Sequence, residues 1–243
     1  MRTIQIVFSA VFAGHVLACS AARGDDTRDI DRLVFVGVES FDVVQIRQVL
    51  EKDFDLLLAA EPGSDERAYL KKLKETLQNG YWYSGFPEAR VDVGYSSDGR
   101  RIEVHVQEGP RYRNGDIRVA AAKTVKPETI IRALTEQPLE YRNLWKAGRP
   151  SRFDAQSAKE IRREVEHQYA ATGCFSPDFE TRIDRDAGTK TATLVVVVRD
   201  EGPHSVIGKI KVRGSKREWQ ADVVKYLDLR PGLPFDNGTT ARL

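Results

Sequence analysis

The chain is poor in cysteine, has no long apolar run beyond its N-terminus and carries almost no net charge. Its only cysteines, Cys19 and Cys174, provide no disulfide framework. No later segment approaches the ~18 uninterrupted apolar residues of a transmembrane helix. Lysine and arginine (38) nearly balance aspartate and glutamate (36) and alternate with them along the chain. This composition therefore gives no reason to expect a nucleic-acid partner.

Residue patterns that carry catalysis or bind cofactors are also missing. The histidines, His15, His105, His167 and His204, stand at no metal-ligand spacing with one another or with a cysteine. The chain contains no glycine-rich phosphate loop and no nucleophile elbow. We therefore predict no catalytic, cofactor or metal site and a chain that is not an enzyme.

The first residues have the composition of a secretory signal. Arg2 is followed by a short apolar stretch that ends at Leu17 and then by small residues. We predict a signal peptide over 1–22 and a linker over 23–32. A buried N-terminal helix or strand is the alternative. VLAC at 16–19 loosely resembles a lipobox, so lipidation of Cys19 competes with ordinary cleavage near Ala21 or Ala22.

The next segment has the order strand, two helices, two strands. Residues 32–38 (RLVFVGV) predict a strand, and 41–54 and 63–81 carry apolar residues at helical spacing. Ser64 or Asp65 is the candidate cap of the second helix, which we expect to end near Asn79-Gly80. Residues 89–95 and 100–106 alternate around a turn and predict a hairpin.

The same order then recurs. Residues 115–121 predict a strand, 126–137 and 151–173 predict helices with Ser151 as a candidate cap, and 179–185 with 191–200 predict a hairpin. Both units end on Glu-Gly-Pro, in VQEGPRYRNGDIRV at 106–119 and RDEGPHSVIGKIKV at 199–212. The sequence therefore predicts tandem β-α-α-β-β units.

A third unit begins and does not finish. Residues 208–214 (GKIKVRG) predict its first strand, and a capping box at Ser215 and Glu218 predicts a helix. Gly232 and Pro234 match Gly148 and Pro150 of the second unit. We expect domains at 33–110 and 111–203 and an incomplete domain at 204–243, in a truncated or partial chain.

These repeats resemble POTRA domains, the periplasmic modules of BamA-type outer-membrane assembly factors. The resemblance covers about 33–243 and rests on Gly37, on Tyr81…Gly85-Phe86 and Tyr169…Gly173, on the hairpins, and on Glu-Gly-Pro followed by Gly-x-Ile-x-Val. Cys174-Phe175 departs from the aromatic that usually follows the glycine. The implied fold class is α+β, with each module a three-stranded mixed sheet backed by two helices.

The resemblance also implies a function. It implies the periplasmic arm of an outer-membrane protein assembly or translocation factor, which binds unfolded outer-membrane clients and envelope assembly partners. Association with the outer membrane would pass through a β-barrel that these residues do not contain. The alternatives are a soluble scaffold without a barrel, the arm of a two-partner-secretion-type transporter, or an envelope hydrolase that docks through the repeats.

In the POTRA arrangement the third strand is central, so the second strand lies on an edge where an extended partner can pair with it. The candidate partner-binding residues are Ala89, Arg90, Val91, Asp92, Val93, Gly94 and Tyr95 in the first unit and Phe179, Glu180, Thr181, Arg182, Ile183 and Asp184 in the second. Edges that only face water are the alternative. The predicted joints between modules are Glu108, Gly109 and Pro110, and Glu201, Gly202 and Pro203.

Two further features invite competing interpretations. Tyr141, Leu144 and Trp145 form an apolar cluster in a polar loop, and we expect it to pack in the core rather than on a partner. Cys174 follows a helix without a matching partner. We expect it to be a small buried apolar side chain and not a reactive thiol.

Overall fold

A computed structural model of the chain describes residues 28–61, 63–136, 143–213, 219–236 and 239. The predicted signal peptide and most of the predicted linker fall outside these residues. The chain divides into two compact units. The first contains the described residues up to Tyr81 and Glu88–Gly109, and the second contains Trp82–Pro87 and the described residues from Pro110 onward.

The sheet of the first unit comprises β1 (Val34–Val36), β2 (Arg90–Tyr95) and β3 (Ile102–Gln107) in the order β1-β3-β2. β1 runs parallel to β3, and β2 runs antiparallel to it. Alternation sets the register because a slip of one residue would turn the apolar side chains to the wrong face. Val91 lies opposite Val106, and both side chains are buried.

The same unit contains helices α1 (Val43–Leu50) and α2 (Phe54–Ala59) and, up to Tyr81, helix α3 (Glu66–Tyr83). Asp65 is the residue that caps α3, because its side chain accepts a hydrogen bond from the Arg67 N–H at 3.0 Å. The predicted end of α3 near Asn79-Gly80 is wrong. Tyr81 lies four residues after Leu77 and is buried on the same face, and this packing carries the helix across the glycine.

The short helix α2 was not among the sequence predictions, which place a single helix before α3. Asp53 caps it, accepting a hydrogen bond from the Leu56 N–H at 3.1 Å. The core of the first unit combines the apolar stripes of these helices with one face of the sheet. Its buried members include Leu33, Leu50, Leu56, Tyr69, Leu73, Leu77, Tyr81, Val91, Ile102, Val104 and Val106.

The second unit repeats the arrangement. Its sheet comprises β4 (Arg113–Ala120), β5 (Asp178–Asp186) and β6 (Thr191–Asp200) in the order β4-β6-β5, again with one parallel and one antiparallel pair. Helices α4 (Pro127–Thr135) and α5 (Ala155–Ala170) pack with it. The predicted fold class, α+β with three-stranded mixed sheets backed by helices, is confirmed.

The predicted cap of α5 is wrong. Asp154 and not Ser151 caps the helix, since Asp154 Oδ1 accepts a hydrogen bond from the Ser157 N–H at 2.9 Å. Ser151 is fully buried three residues earlier, and its N–H donates to the Tyr112 carbonyl at 3.1 Å. That contact places Ser151 in the loop that leads to the helix and leaves the capping position to Asp154.

Trp145 and Cys174 both belong to the core of the second unit, as predicted. Trp145 is 1% exposed, and its indole N–H donates to the Gly115 carbonyl at 3.0 Å. This bond satisfies the polar atom that a buried indole carries. Leu144 packs against the same cluster, whereas Tyr141 lies outside the described residues.

The predicted strand at 208–214 is wrong for the part that the structure describes, because 208–213 form no regular secondary structure. A strand needs a neighbour to bond its backbone groups, and the described residues provide this segment with none. Helix α6 (Gln220–Tyr226) follows. The predicted capping box at Ser215 and Glu218 lies outside the described residues.

Gly232 and Gly148, which match in the sequence, also make equivalent backbone hydrogen bonds. The Gly148 N–H donates to the Asn114 carbonyl at 2.7 Å, and the Gly232 N–H donates to the Ile207 carbonyl at 2.8 Å. Both glycines have positive φ, +77° and +85°. The start of the third repeat is therefore built like the start of the second, whereas the domain boundaries and the incomplete third domain stay predictions.

Candidate protein-binding edges and the Glu-Gly-Pro turns

The two segments predicted to bind partners both lie on sheet edges. β2 is at one edge of the first sheet and β5 at one edge of the second. The predicted segment 89–95 is β2 with the residue before it, and 179–184 lies within β5. Their edge position is confirmed, and their binding of partners stays a prediction.

The side-chain amide of Gln78 in α3 hydrogen bonds to the edge of β2. Its Nε2 donates to the Ala89 carbonyl at 2.7 Å, and its Oε1 accepts from the Val91 N–H at 3.1 Å. An amide carries both a donor and an acceptor. It therefore reproduces the pair of hydrogen bonds that a neighbouring strand would make at this point.

This contact also shows which backbone groups of β2 face outward. Because the Val91 N–H bonds away from β3, Val91 and Val106 form a non-hydrogen-bonded pair in the antiparallel ladder. The pattern repeats every two residues along a strand. The backbone groups of Val93 and Tyr95 therefore face the open edge as well.

A second side chain of α3 reaches past the same edge. Lys74 Nζ lies 2.9 Å from Asp92 Oδ1. Successive strand residues point to opposite faces, so Asp92 points away from the face that buries Val91. Lys74 and Gln78 lie one helical turn apart and together cover the beginning of β2.

β5 presents its backbone in the same way but is covered less. Arg162 of α5 donates to the Phe179 carbonyl at 3.4 Å, and its guanidinium lies 4.7 Å from the centre of the Phe179 ring. Phe179 therefore has its backbone groups outward, as do Thr181 and Ile183 two and four residues on. Among the residues that the structure describes, no side chain hydrogen bonds to the backbone of Thr181 or Ile183.

The face of β5 that points away from the helices is charged. Glu180 Oε2 lies 2.6 Å from Arg199 of β6, and Arg182 Nε lies 3.0 Å from Asp184 Oδ1. Charged side chains along an edge discourage indiscriminate pairing with other chains. A strand added at this edge would therefore have to match a polar face on this side.

Glu108 of the first Glu-Gly-Pro turns back into its own module. Its carboxylate accepts hydrogen bonds from the N–H groups of Glu39 at 2.9 Å and Ser40 at 3.0 Å, from the Ser40 hydroxyl, and from the Tyr81 hydroxyl at 3.2 Å. The carboxylate thus ties the loop between β1 and α1 to the end of α3. No link between these segments was predicted from the sequence.

Glu201 makes the same set of contacts in the second module. Its carboxylate accepts from the Lys123 N–H at 2.6 Å, from the Thr124 N–H at 2.9 Å and hydroxyl at 2.7 Å, and from the Tyr169 hydroxyl at 3.3 Å. One sequence signal could have indicated this contact. A hydroxyl residue stands at the same place in the loop after the first strand of each module, Ser40 in the first and Thr124 in the second.

These hydrogen bonds lower the pKa values of both carboxyl groups. Burial alone would raise the pKa of Glu201, but the Thr124 hydroxyl and the backbone N–H groups outweigh it and hold the pKa at about 2. The pKa of Glu108 is lowered for the same reason. Burial and the adjacent carboxylate raise the pKa values of Tyr81 and Tyr169.

The glycines of the two turns are required by their backbone. Gly109 and Gly202 have φ of +67° and +74°, which residues with a Cβ seldom adopt. A Cβ at Gly202 would also lie 2.8 Å from the Ser176 carbonyl oxygen. The role of Glu108, Gly109, Pro110, Glu201, Gly202 and Pro203 as joints between modules stays a prediction.

Each Tyr-x3-Gly segment hydrogen bonds to the chain that follows a Glu-Gly-Pro turn. Within the second compact unit, the Gly85 carbonyl accepts from the Tyr112 N–H at 2.7 Å. The Gly173 carbonyl accepts from the Ser205 N–H at 2.9 Å. Both repeats thus contain the same hydrogen bond. Its acceptor is the carbonyl of the glycine in Tyr-x3-Gly, and its donor is the N–H two positions after the proline of Glu-Gly-Pro.

The described residues contain no group of three or more His, Cys, Asp or Glu side chains placed to hold a metal ion. Cys174 is fully buried, with its Sγ 3.7 Å from His204 Nδ1. Within the same residues, no helix has the length and apolar character needed to cross a membrane.

No family model and no curated protein matches the sequence. Solved structures do match. POTRA3-5 of BamA from Haemophilus influenzae is 15% identical with a TM-score of 0.48, covering 86% of this chain and 80% of that one. POTRA1-3 of Omp85 from Anabaena is 14% identical with a TM-score of 0.41, covering 87% and 81%.

CdiB from Acinetobacter baumannii is 11% identical with a TM-score of 0.35. The match covers 70% of this chain, which spans 29% of the length of CdiB. The chain is thus similar in structure to POTRA domains of BamA and Omp85 over most of its length.

Proposed function

We propose that the chain is the periplasmic arm of an outer-membrane protein assembly or translocation factor and that its modules bind extended polypeptides by strand addition. The observation that carries this proposal is the position of β2 and β5, which both lie at sheet edges with backbone groups facing outward. Strand addition uses backbone hydrogen bonds and so makes few demands on the partner's sequence. Unfolded outer-membrane strands, which share alternation but no fixed residues, are partners of this kind.

The N-terminal sequence supports the proposed location. A basic residue, a short apolar stretch and small residues precede the modules, as in a secretory signal. Fractionation of a Gram-negative host that produces the full chain tests this point. We expect the chain in the envelope fractions, beginning near residue 23 by mass spectrometry. A cytoplasmic chain that retains residues 1–22 would contradict the proposed location.

Binding is tested with a purified outer-membrane protein kept unfolded in urea and diluted into a solution of the full chain. A photo-crosslinking amino acid is placed at Arg182 in β5 and, in a separate variant, at Asp92 in β2, and at least one of the two should link to the unfolded protein. The same label at Glu128, exposed on α4, is the matched control. Crosslinks at Glu128 alone, or equal crosslinking to the folded protein, would exclude strand addition at these edges.

A further inference from the structure

The two modules differ at one position that decides how open their edges are. Gln78 lies three residues before Tyr81, and Glu166 lies three residues before Tyr169. The Gln78 amide bonds to both a carbonyl and an N–H group of the β2 edge. A carboxylate has only acceptors and cannot make this pair of bonds. Glu166 instead accepts from Arg162 Nε at 3.0 Å.

The edges on the other side of the sheets are short or covered at their beginning. β1 has only three residues, Val34–Val36. At β4, the N–H and carbonyl of Asn114 bond to Arg149 and Gly148 at 2.8 and 2.7 Å. The Gly115 carbonyl accepts from the Trp145 indole. An incoming strand would have to displace these contacts.

β5 is the longest of the four edge strands in the two sheets. It has nine residues against six in β2. Among the described residues, the one hydrogen bond from an α5 side chain to the backbone of β5 is the long bond from Arg162 to the Phe179 carbonyl. The outward N–H groups of Thr181 and Ile183 bond to no side chain among the described residues. A partner strand could therefore pair along β5 without first breaking a hydrogen bond to an N–H group.

We propose that the extended partner pairs with β5 of the second module, and that Gln78 acts as a built-in substitute for a partner strand that keeps β2 closed. This proposal rests on the proposed function and specifies which of the two edges performs it. Gln78 is then a specificity-determining residue, because its removal exposes a second edge.

The surroundings of β5 define the chemistry of the partner. Ile183 packs against the core cluster on the helix side, so the partner's side chains on that side should be apolar. On the opposite side the partner faces Glu180, Arg182 and Asp184, which carry both signs of charge. A polypeptide that alternates apolar residues with charged ones of both signs fits both faces.

The test uses the full chain and a ten-residue peptide in which valine alternates with lysine and glutamate. Amide hydrogen exchange, resolved by NMR, is measured with and without the peptide. We expect exchange at Thr181 and Ile183 to slow by at least about tenfold when the peptide pairs with β5. Val93 and Tyr95 should exchange as before. The same peptide with prolines at alternate positions cannot pair and should protect neither edge.

Two variants complete the experiment. Thr181→Pro removes an outward N–H and should weaken peptide binding about tenfold. It should leave the thermal unfolding midpoint almost unchanged, because that N–H takes no part in the bonds to β6. Gln78→Glu cannot donate to the Ala89 carbonyl, and it should make Val93 and Tyr95 protectable by the peptide.

The outcomes separate this inference from the proposed function. Protection of Val93 and Tyr95 in the unaltered chain, equal to or greater than that at β5, would overturn the role of Gln78 and leave strand addition standing. A peptide that protects neither edge and binds the two variants like the unaltered chain would overturn strand addition itself. The exchange data on the unaltered chain decide the matter even if Thr181→Pro does not fold.

Discussion

The hydroxyl of Tyr169 lies 3.3 Å from Oε1 of Glu201, and the hydroxyl of Tyr81 lies 3.2 Å from Oε1 of Glu108. The tyrosine belongs to the Tyr-x3-Gly motif at the end of a helix, and the glutamate to the Glu-Gly-Pro turn. Two motifs that stand apart in the sequence therefore meet in the same module. Both modules therefore contain the same hydrogen-bonded contact between these two motifs.

The second module should lose stability in acid through Glu201. The pKa of this carboxyl is about 2 in the folded chain, against an ordinary value of 4.5. A lowered folded-state pKa contributes stability that is present above pH 4.5 and is lost as the pH falls toward 2. Because Glu201 is partly exposed, solvent screening reduces the stability that this shift contributes. Glu201→Gln should be less stable at pH 7 by about 1 kcal/mol, and its stability should depend less on pH between pH 5 and pH 2.

Urea unfolding followed at several pH values measures both effects. Asp116→Asn is the matched control, because Asp116 is exposed on β4 and should show neither change. If Glu201→Gln retained the full acid dependence of the unaltered chain, the hydrogen bonds to Glu201 would not be its source.

Gly37 and Ala121 occupy the same position in the two modules, and they should respond oppositely to substitution. Both have positive φ, +79° and +61°. Ala121→Gly should raise the free energy of unfolding by about 1 kcal/mol, because glycine adopts this backbone without strain. Gly37→Ala should lower it by more than about 2 kcal/mol, since the new Cβ would overlap the Val106 carbonyl oxygen.

Urea unfolding of each variant measures these changes. A shift of the midpoint at an unchanged m-value reports a change in the free energy of unfolding. Gly63→Ala is the control for Gly37→Ala. Gly63 has φ of +91°, but a Cβ there would meet nothing within 4 Å. Equal losses at Gly37 and Gly63 would mean that strain alone, and not the contact with Val106, sets the cost.

Asp154 and Ser151 should contribute differently to the start of α5. Asp154→Ala should cost about 1 kcal/mol, because Asp154 accepts the hydrogen bond from the Ser157 N–H. Ser151→Ala should be close to neutral, because the buried Ser151 Oγ has no hydrogen-bond partner among the described residues. Thermal unfolding of the two variants compares them directly, and the reverse order of cost would make Ser151 the cap.

The repeat and its fold could be predicted because the signals are local. Strict alternation at 89–95 and 100–106 predicts strands, and apolar spacing at 63–81 predicts a helix. The same order of elements at 115–200 then predicts a second module. Burial follows this pattern in the structure, where Val91 and Ile102 turn inward and Arg90 and Asp92 face solvent.

The errors fall where packing or pairing overrides a local signal. Gly80 marks a helix end in the sequence, but the burial of Tyr81 continues α3 past it. Residues 208–213 have the composition of a strand and form none, because no described strand lies beside them. A high β-propensity therefore means only that a segment fits into a sheet, and the segment forms a strand only where neighbouring strands are present.

The sequence by itself determined the order of strands, helices and hairpins in the two modules, apart from α2, because periodicity and turn chemistry act within a few residues. The edge position of β2 and β5 was implied by the resemblance to POTRA domains, and the sheets confirm it. Only the tertiary structure decided what covers those edges. Gln78 bonds to Ala89 and Val91 from another element, 11 and 13 positions along the chain. Such a contact depends on how a helix packs over a sheet, and local sequence patterns do not predict that packing.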